Sequence, residues 1–158
     1  MAQSVSFDAV YQYINSVAPF ETQAGFDNSG FLVGKRGDIA QGVLFALDVT
    51  DAVLDEAERL GANLIVTHHP LMFSPIHALL EDDYEGRLIM RMVRNRMGLI
   101  AAHTNLDSAP GGINDTLCSV LGLTNVSGEG YFRVGDLPQK RTFGSLVENI
   151  EKIGRAHV

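Results

Sequence analysis

A chain of 158 residues, 46% hydrophobic and 20% charged, has the length of one compact domain and the composition of a globular protein, which excludes a disordered or low-complexity chain. Its single cysteine, Cys118, excludes an intrachain disulfide and a thiolate metal cluster, and a formal net charge of -7 argues against general nucleic-acid binding. No apolar run is long enough to span a membrane and the first residues lack a signal-peptide pattern, so a cytoplasmic location is expected.

Ser6 stands before Phe7, Val10, Tyr11, Ile14 and Val17, a spacing that predicts a capped helix ended by Pro19. The glycine-rich stretch that follows predicts a loop with a short strand at Phe31 to Val33. From Gly42 the order is regular. A strand is expected at Val43 to Leu47, then Thr50 as a cap, a helix through Leu54 and Ala57 stopped at Gly61, and a buried strand at Leu64 to Thr67. A second helix carries Leu88, Ile89, Met92, Val93 and Met97 and should stop at Gly98, before a strand at Leu99 to Ala102. Met90, Met92 and Met97 read as core, as does Cys118. Two successive strand-helix-strand crossovers predict an α/β fold with a parallel or mixed sheet and flanking helices.

Gly111-Gly112 should open another helix, through Ile113 and Leu117 to Gly122. Beyond Gly130 the pattern weakens to a short segment at Tyr131 to Val134, a turn at Pro138 and a helix from Phe143 to Ile153. Gly154 to Val158 reads as the approach to another strand. The expected organisation is a single domain over residues 1–158.

The chemistry concentrates after the strands. Thr67-His68-His69-Pro70 follows one and His103-Thr104-Asn105-Leu106-Asp107 follows another. Ligands of open parallel sheets bind beyond the carboxyl ends of the strands, so neighbouring strands would bring both motifs to one edge. Imidazole and carboxylate together suit zinc, iron, manganese or nickel, and a shared carboxylate such as Asp107 can bridge two ions. Taken alone, a His-His pair also fits an ordinary hydrogen-bonded loop. Asp27-Asn28-Ser29-Gly30 reads either as a turn or as part of the site. His77 fits a solvated loop or a place behind the ligands. Arg87, Arg91 and Arg94 share a helix face that suits solvent, phosphate or a neighbouring subunit. No P-loop, GxGxxG or GxSxG motif occurs.

Taken in order, Asp27-Asn28-Ser29-Gly30-Phe31-Leu32-Val33-Gly34, Thr67-His68-His69-Pro70-Leu71-Met72-Phe73 and Ala102-His103-Thr104-Asn105-Leu106-Asp107, followed by Gly111-Gly112-Ile113-Asn114-Asp115, resemble the signatures of the Nif-three-like family. Members of that family are often named GTP cyclohydrolase type-two homologues. Arg133 to Pro138 resembles its next landmark. The resemblance implies a cytoplasmic α/β protein with a dinuclear centre of divalent metal ions, assembled as a hexameric ring. It implies His68, His69 and Asp107 as metal ligands, His103 beside the centre as ligand, substrate contact or catalytic proton carrier, and Asp27 and Asn28 in a nearby loop. Family members complete the centre with a histidine and, four residues later, a glutamate in a second half. This chain ends before such a pair, so a fragment or a natural short form is expected, with solvent or another chain filling the vacancies.

The reaction class implied is metal-assisted hydrolysis of a nucleotide or other small molecule, in the manner of a GTP cyclohydrolase. The alternative is a non-catalytic metal-binding scaffold or regulatory interaction protein.

Overall fold

The computed structural model describes residues 4–155, so the expectation for the last residues, His157 included, lies outside the described residues from Ala156 on. Among the described residues no helix is long and apolar enough to cross a membrane. They fall into two compact units that divide after Leu106.

In the first unit, α1 (Phe7–Val17) begins where the Ser6 hydroxyl accepts from the Ala9 amide at 3.1 Å, satisfying a first-turn donor. A single 3-10 turn at Phe20–Thr22 leads to β1 (Gly30–Val33). Then come β2 (Val43–Ala46), α2 (Asp51–Leu60), β3 (Leu64–Thr67), α3 (Tyr84–Arg94) and β4 (Gly98–Ala101). Thr50 caps α2 by accepting from the Val53 amide, and Gly61, at φ 68°, ends it. The two crossovers make β2, β3 and β4 adjacent and parallel, as expected. The sheet is mixed because β1 adds antiparallel to β4, in the order β1-β4-β3-β2.

The central strands are buried on both faces. On one side Ile65 and Leu99 pack with Leu54, Ala57, Leu88, Ile89 and Met92 from α2 and α3. On the other, Leu64, Val66 and Ile100 pack with Phe7 and Phe20. Met92 and Met97 are buried as read, whereas Met90 is only half-buried.

Several boundaries differ from the sequence reading, among them that of a strand which forms at Val134–Asp136 rather than over Tyr131 to Val134. The second crossover helix does not run to Gly98. It ends at Arg94, and Arg96 takes the left-handed conformation (φ 53°) usually left to glycine. The Arg96 amide bonds to Val93 and the Met97 amide to Met92, which closes the helix and releases Gly98 to open β4. Glycine is needed there for space. A Cβ on Gly98 would lie 2.7 Å from the Phe7 ring and 3.0 Å from the Leu64 side chain.

The arginine face of α3 meets the acidic face of α2. Arg87 bonds Asp51 at 3.0 Å, while Arg91 reaches Asp55 at 2.6 Å and Glu58 at 2.9 Å. Arg94 pairs with Glu81 in the preceding loop.

The second unit holds the end of α4 (Thr104–Ser108), then α5 (Ile113–Val120), the antiparallel pair β5 (Thr124–Ser127) and β6 (Val134–Asp136), and α6 (Phe143–Arg155). Cys118 is buried in it. α6 continues through Arg155, where the sequence reading placed an approach to a strand.

Two outcomes follow. Gly98→Ala is expected to cost about 1–3 kcal/mol in urea unfolding, because Phe7 is fully buried and has no room to yield. Arg91→Ala is expected to cost about 1 kcal/mol in dilute buffer, and the same titration in high salt should shrink that difference, since the carboxylates it meets are solvent-exposed.

Candidate metal centre

The register of the parallel strands builds the site. Thr67 of β3 pairs with Ala101 of β4, so the chain leaves both strands at one level of one edge. There, one ring nitrogen each from His68, His69 and His103 lies within 4.8 Å of the others. The ring centroids are 5.0 to 5.5 Å apart. Among the described residues this is the cluster of nitrogen and oxygen donors able to hold a metal ion. His103, which the family resemblance puts beside the ligands, stands next to both other imidazoles. Asp107, on α4 one turn further, is not part of this grouping and opens the second unit. His77 lies in an exposed loop outside it.

Backbone and side chains fix each ring. The His68 and His69 amides continue the β2 pairing by donating to Ala46 and Leu47. The buried Thr67 hydroxyl donates to the His69 carbonyl at 2.8 Å, which shapes the turn before Pro70. His68 Nδ1 meets the Ala102 carbonyl at 2.9 Å, His69 Nδ1 meets Asp48 at 2.7 Å, and His103 Nδ1 meets Asp27 at 2.9 Å. Carbonyl and carboxylate oxygens only accept, so Nδ1 is the donor in all three bonds, which leaves Nε2 as the nitrogen that can offer a lone pair. Metal-binding histidines are commonly held this way, and the donor set fits a divalent transition metal.

Asp48 was missed in the sequence. Its signal was the same as that of the histidines, because it follows a parallel strand, β2, at the same edge of the sheet. Asp27 is more deeply involved than a turn requires. Its side chain is fully buried, accepting from His103 Nδ1, the Thr104 amide at 3.0 Å, the Thr104 hydroxyl and the Ser29 hydroxyl at 2.9 Å. Burial pushes its carboxyl pKa up, but the bonds from Thr104, His103 and Asn28 outweigh that and hold it well below the usual carboxylate range.

A cavity of about 250 Å³ adjoins His68, walled by Ile14, Val17, Phe45, Val66 and Leu106. Its lining is mainly apolar and contains no lysine or arginine. The Phe73 ring lies edge-on to His103, 6.3 Å away. In the second unit Arg133 bonds Asp115 and the carbonyls of Gly130, Phe132 and Ser108, so this landmark residue braces the loops of its own unit.

The Duf34/NIF3 (NGG1p interacting factor 3) family model matches residues 5–158. A GTP cyclohydrolase 1 type 2 homolog of Clostridium perfringens is 43% identical over 113 residues, which cover 72% of this chain and 43% of that protein. A homolog of the same name from Clostridium acetobutylicum is 34% identical over 149 residues, covering 88% and 56%. Among solved structures, reduced HcgD from Methanocaldococcus jannaschii is similar with a TM-score of 0.83 at 28% identity, covering 96% of this chain and 61% of its own. A Bacillus cereus protein related to NIF3 gives 0.76 at 38% identity, covering 80% and 35%. The chain thus spans roughly half the length of the two named homologs.

Because the folded-state pKa of Asp27 is depressed, its contribution to stability is present above the unfolded carboxylate value of about 3.9 and is lost as the pH falls below it. Thermal melts taken from pH 6 downward should therefore show a steeper loss of Tm for the unaltered chain than for Asp27→Asn.

Proposed function

The chain belongs to the Duf34/NIF3 family, and from that premise we propose that it is a metal-dependent hydrolase with a dinuclear centre, its ligands His68, His69 and Asp107 and its proton carrier His103. One observation carries the metal part of this reading: three imidazoles converge, each with Nδ1 committed to an acceptor-only oxygen. Asp107 is kept as the carboxylate ligand on the strength of its place in the His103 to Asp107 motif. A divalent ion held there would supply Lewis acidity and lower the pKa of water at the site.

The remaining steps belong to the chain. His103 takes or returns a proton at Nε2 while Asp27 keeps its Nδ1 proton in place. The apolar wall beside His68 offers a seat for an uncharged part of the substrate. That wall does not read a triphosphate. The proposal is therefore hydrolysis of a small molecule, with a GTP cyclohydrolase-like reaction as the first to assay, and action in the cytoplasm as a ring of six copies.

The test is titration of metal-free protein with zinc or manganese, followed by hydrolase assays on nucleotides. Uptake is expected in the unaltered chain and at least about tenfold weaker uptake in His68→Ala and Asp107→Ala, both still folded. Unchanged uptake in both variants would remove the ligand assignment. Turnover that a chelator abolishes and metal restores would support the hydrolase. Ions that raise Tm without turnover would favour the scaffold.

A further inference from the structure

The loop Asp27-Asn28-Ser29 touches both histidine-bearing segments. From one end, Asn28 Nδ2 donates to the Met72 carbonyl at 2.6 Å, in the segment that follows His68, His69 and Pro70. At the other, Asp27 accepts from His103 Nδ1 and the Thr104 amide, and the Ser29 hydroxyl accepts from the His103 amide at 3.1 Å. His103 is thus held by ring and by backbone. The loop itself is tied down, since Gln23 accepts from the Ser29 amide at 2.7 Å and Ala24 donates to the Thr104 hydroxyl at 3.0 Å.

The two carboxylates behind the imidazoles are not equivalent. Asp48 is 52% exposed at its side chain, so water competes with His69 for its oxygens. The Asp27 side chain is fully buried and surrounded by donors. A buried carboxylate persists only when its lone pairs are satisfied, and satisfying them fixes the direction of each donor, His103 Nδ1 among them.

We infer that Asp27 is a positioning residue: with Asn28 and Ser29 it sets the tautomer and direction of His103 and the spacing between the β3 and β4 loops, without itself touching substrate or metal. The inference rests on the metal-centre reading for its functional weight, but its geometry is testable without metal. An amide at position 27 would turn one acceptor into a donor, and the imidazole would answer by moving its proton to Nε2.

The experiment is nitrogen-15 NMR of the histidine rings in the metal-free chain, paired with zinc titration. His103 should carry its proton on Nδ1 in the unaltered protein. In Asp27→Asn it should change tautomer or average between the two, whereas Asp48→Asn, whose carboxylate meets His69, should leave the His103 tautomer unchanged. An unchanged His103 tautomer in a folded Asp27→Asn would overturn the proposal. If that variant does not fold, the unaltered protein decides: an Nδ1 proton on His103 protected from solvent exchange supports the proposal, and an Nε2-protonated ring overturns it. Failure of the unaltered chain to bind zinc would instead sink the metal reading and leave the tautomer result standing.

Discussion

The meeting of His68 and His69 with His103 depends on β3 and β4 being parallel neighbours in register. Thr67 lies beside Ala101, and the next bond along, from the Ala102 amide to the Thr67 carbonyl at 2.9 Å, extends the pairing past the strand ends. The Ala102 carbonyl then receives His68 Nδ1, so a side chain continues what the backbone began. An antiparallel pair would have sent the two histidine segments to opposite edges. Parallel pairing demands a long return, and α3 supplies it, bound to the sheet by Leu88, Ile89 and Met92 and to α2 by Arg87 and Arg91.

Against that frame the site combines rigidity with exposure. The imidazoles are only half-buried, so the cluster is open to small ligands. Behind them the supports grade from a backbone carbonyl, through an exposed carboxylate, to a buried one. A carboxylate is expensive to bury, and the cluster of hydroxyl, amide and imidazole donors around Asp27 offsets that cost. Those same bonds join the loop before β1 to the start of α4, through Asp27, Ser29 and Thr104, so the segment that leads into the antiparallel edge strand also braces His103.

How far the sequence carried this depends on the kind of signal. Runs buried on both faces, such as Leu64 to Thr67, and caps such as Ser6, Thr50 and Gly61 are local and were legible, with boundaries within a residue or so. The stop after α3 was not, because Arg96 occupies the position where glycine was sought. β5 was also invisible: Thr124 to Ser127 is exposed throughout and Asn125 has a positive φ, so no apolar alternation marks it. His68, His69 and His103 were legible because each follows an apolar strand. Asp48 follows one too, but its partner is 21 residues away in sequence and only the β2-β3 pairing brings them together. The support that Asp27 gives His103 spans 76 residues and rests on tertiary contact. Motif order pointed to the loop, and only the fold assigned it a task.

The outer strand β2 carries a separate consequence. Among the described residues it ends the sheet, with no strand paired to its outer row of amides and carbonyls, and Phe45, at 73% exposure, and Leu47, at 60%, stand out from the same segment. An unpaired edge with apolar side chains is a template for association. A net charge of -7 opposes it by keeping like copies apart. The colloidal behaviour of the chain is therefore a balance between a sticky edge and a repulsive surface, and added salt weakens only the second.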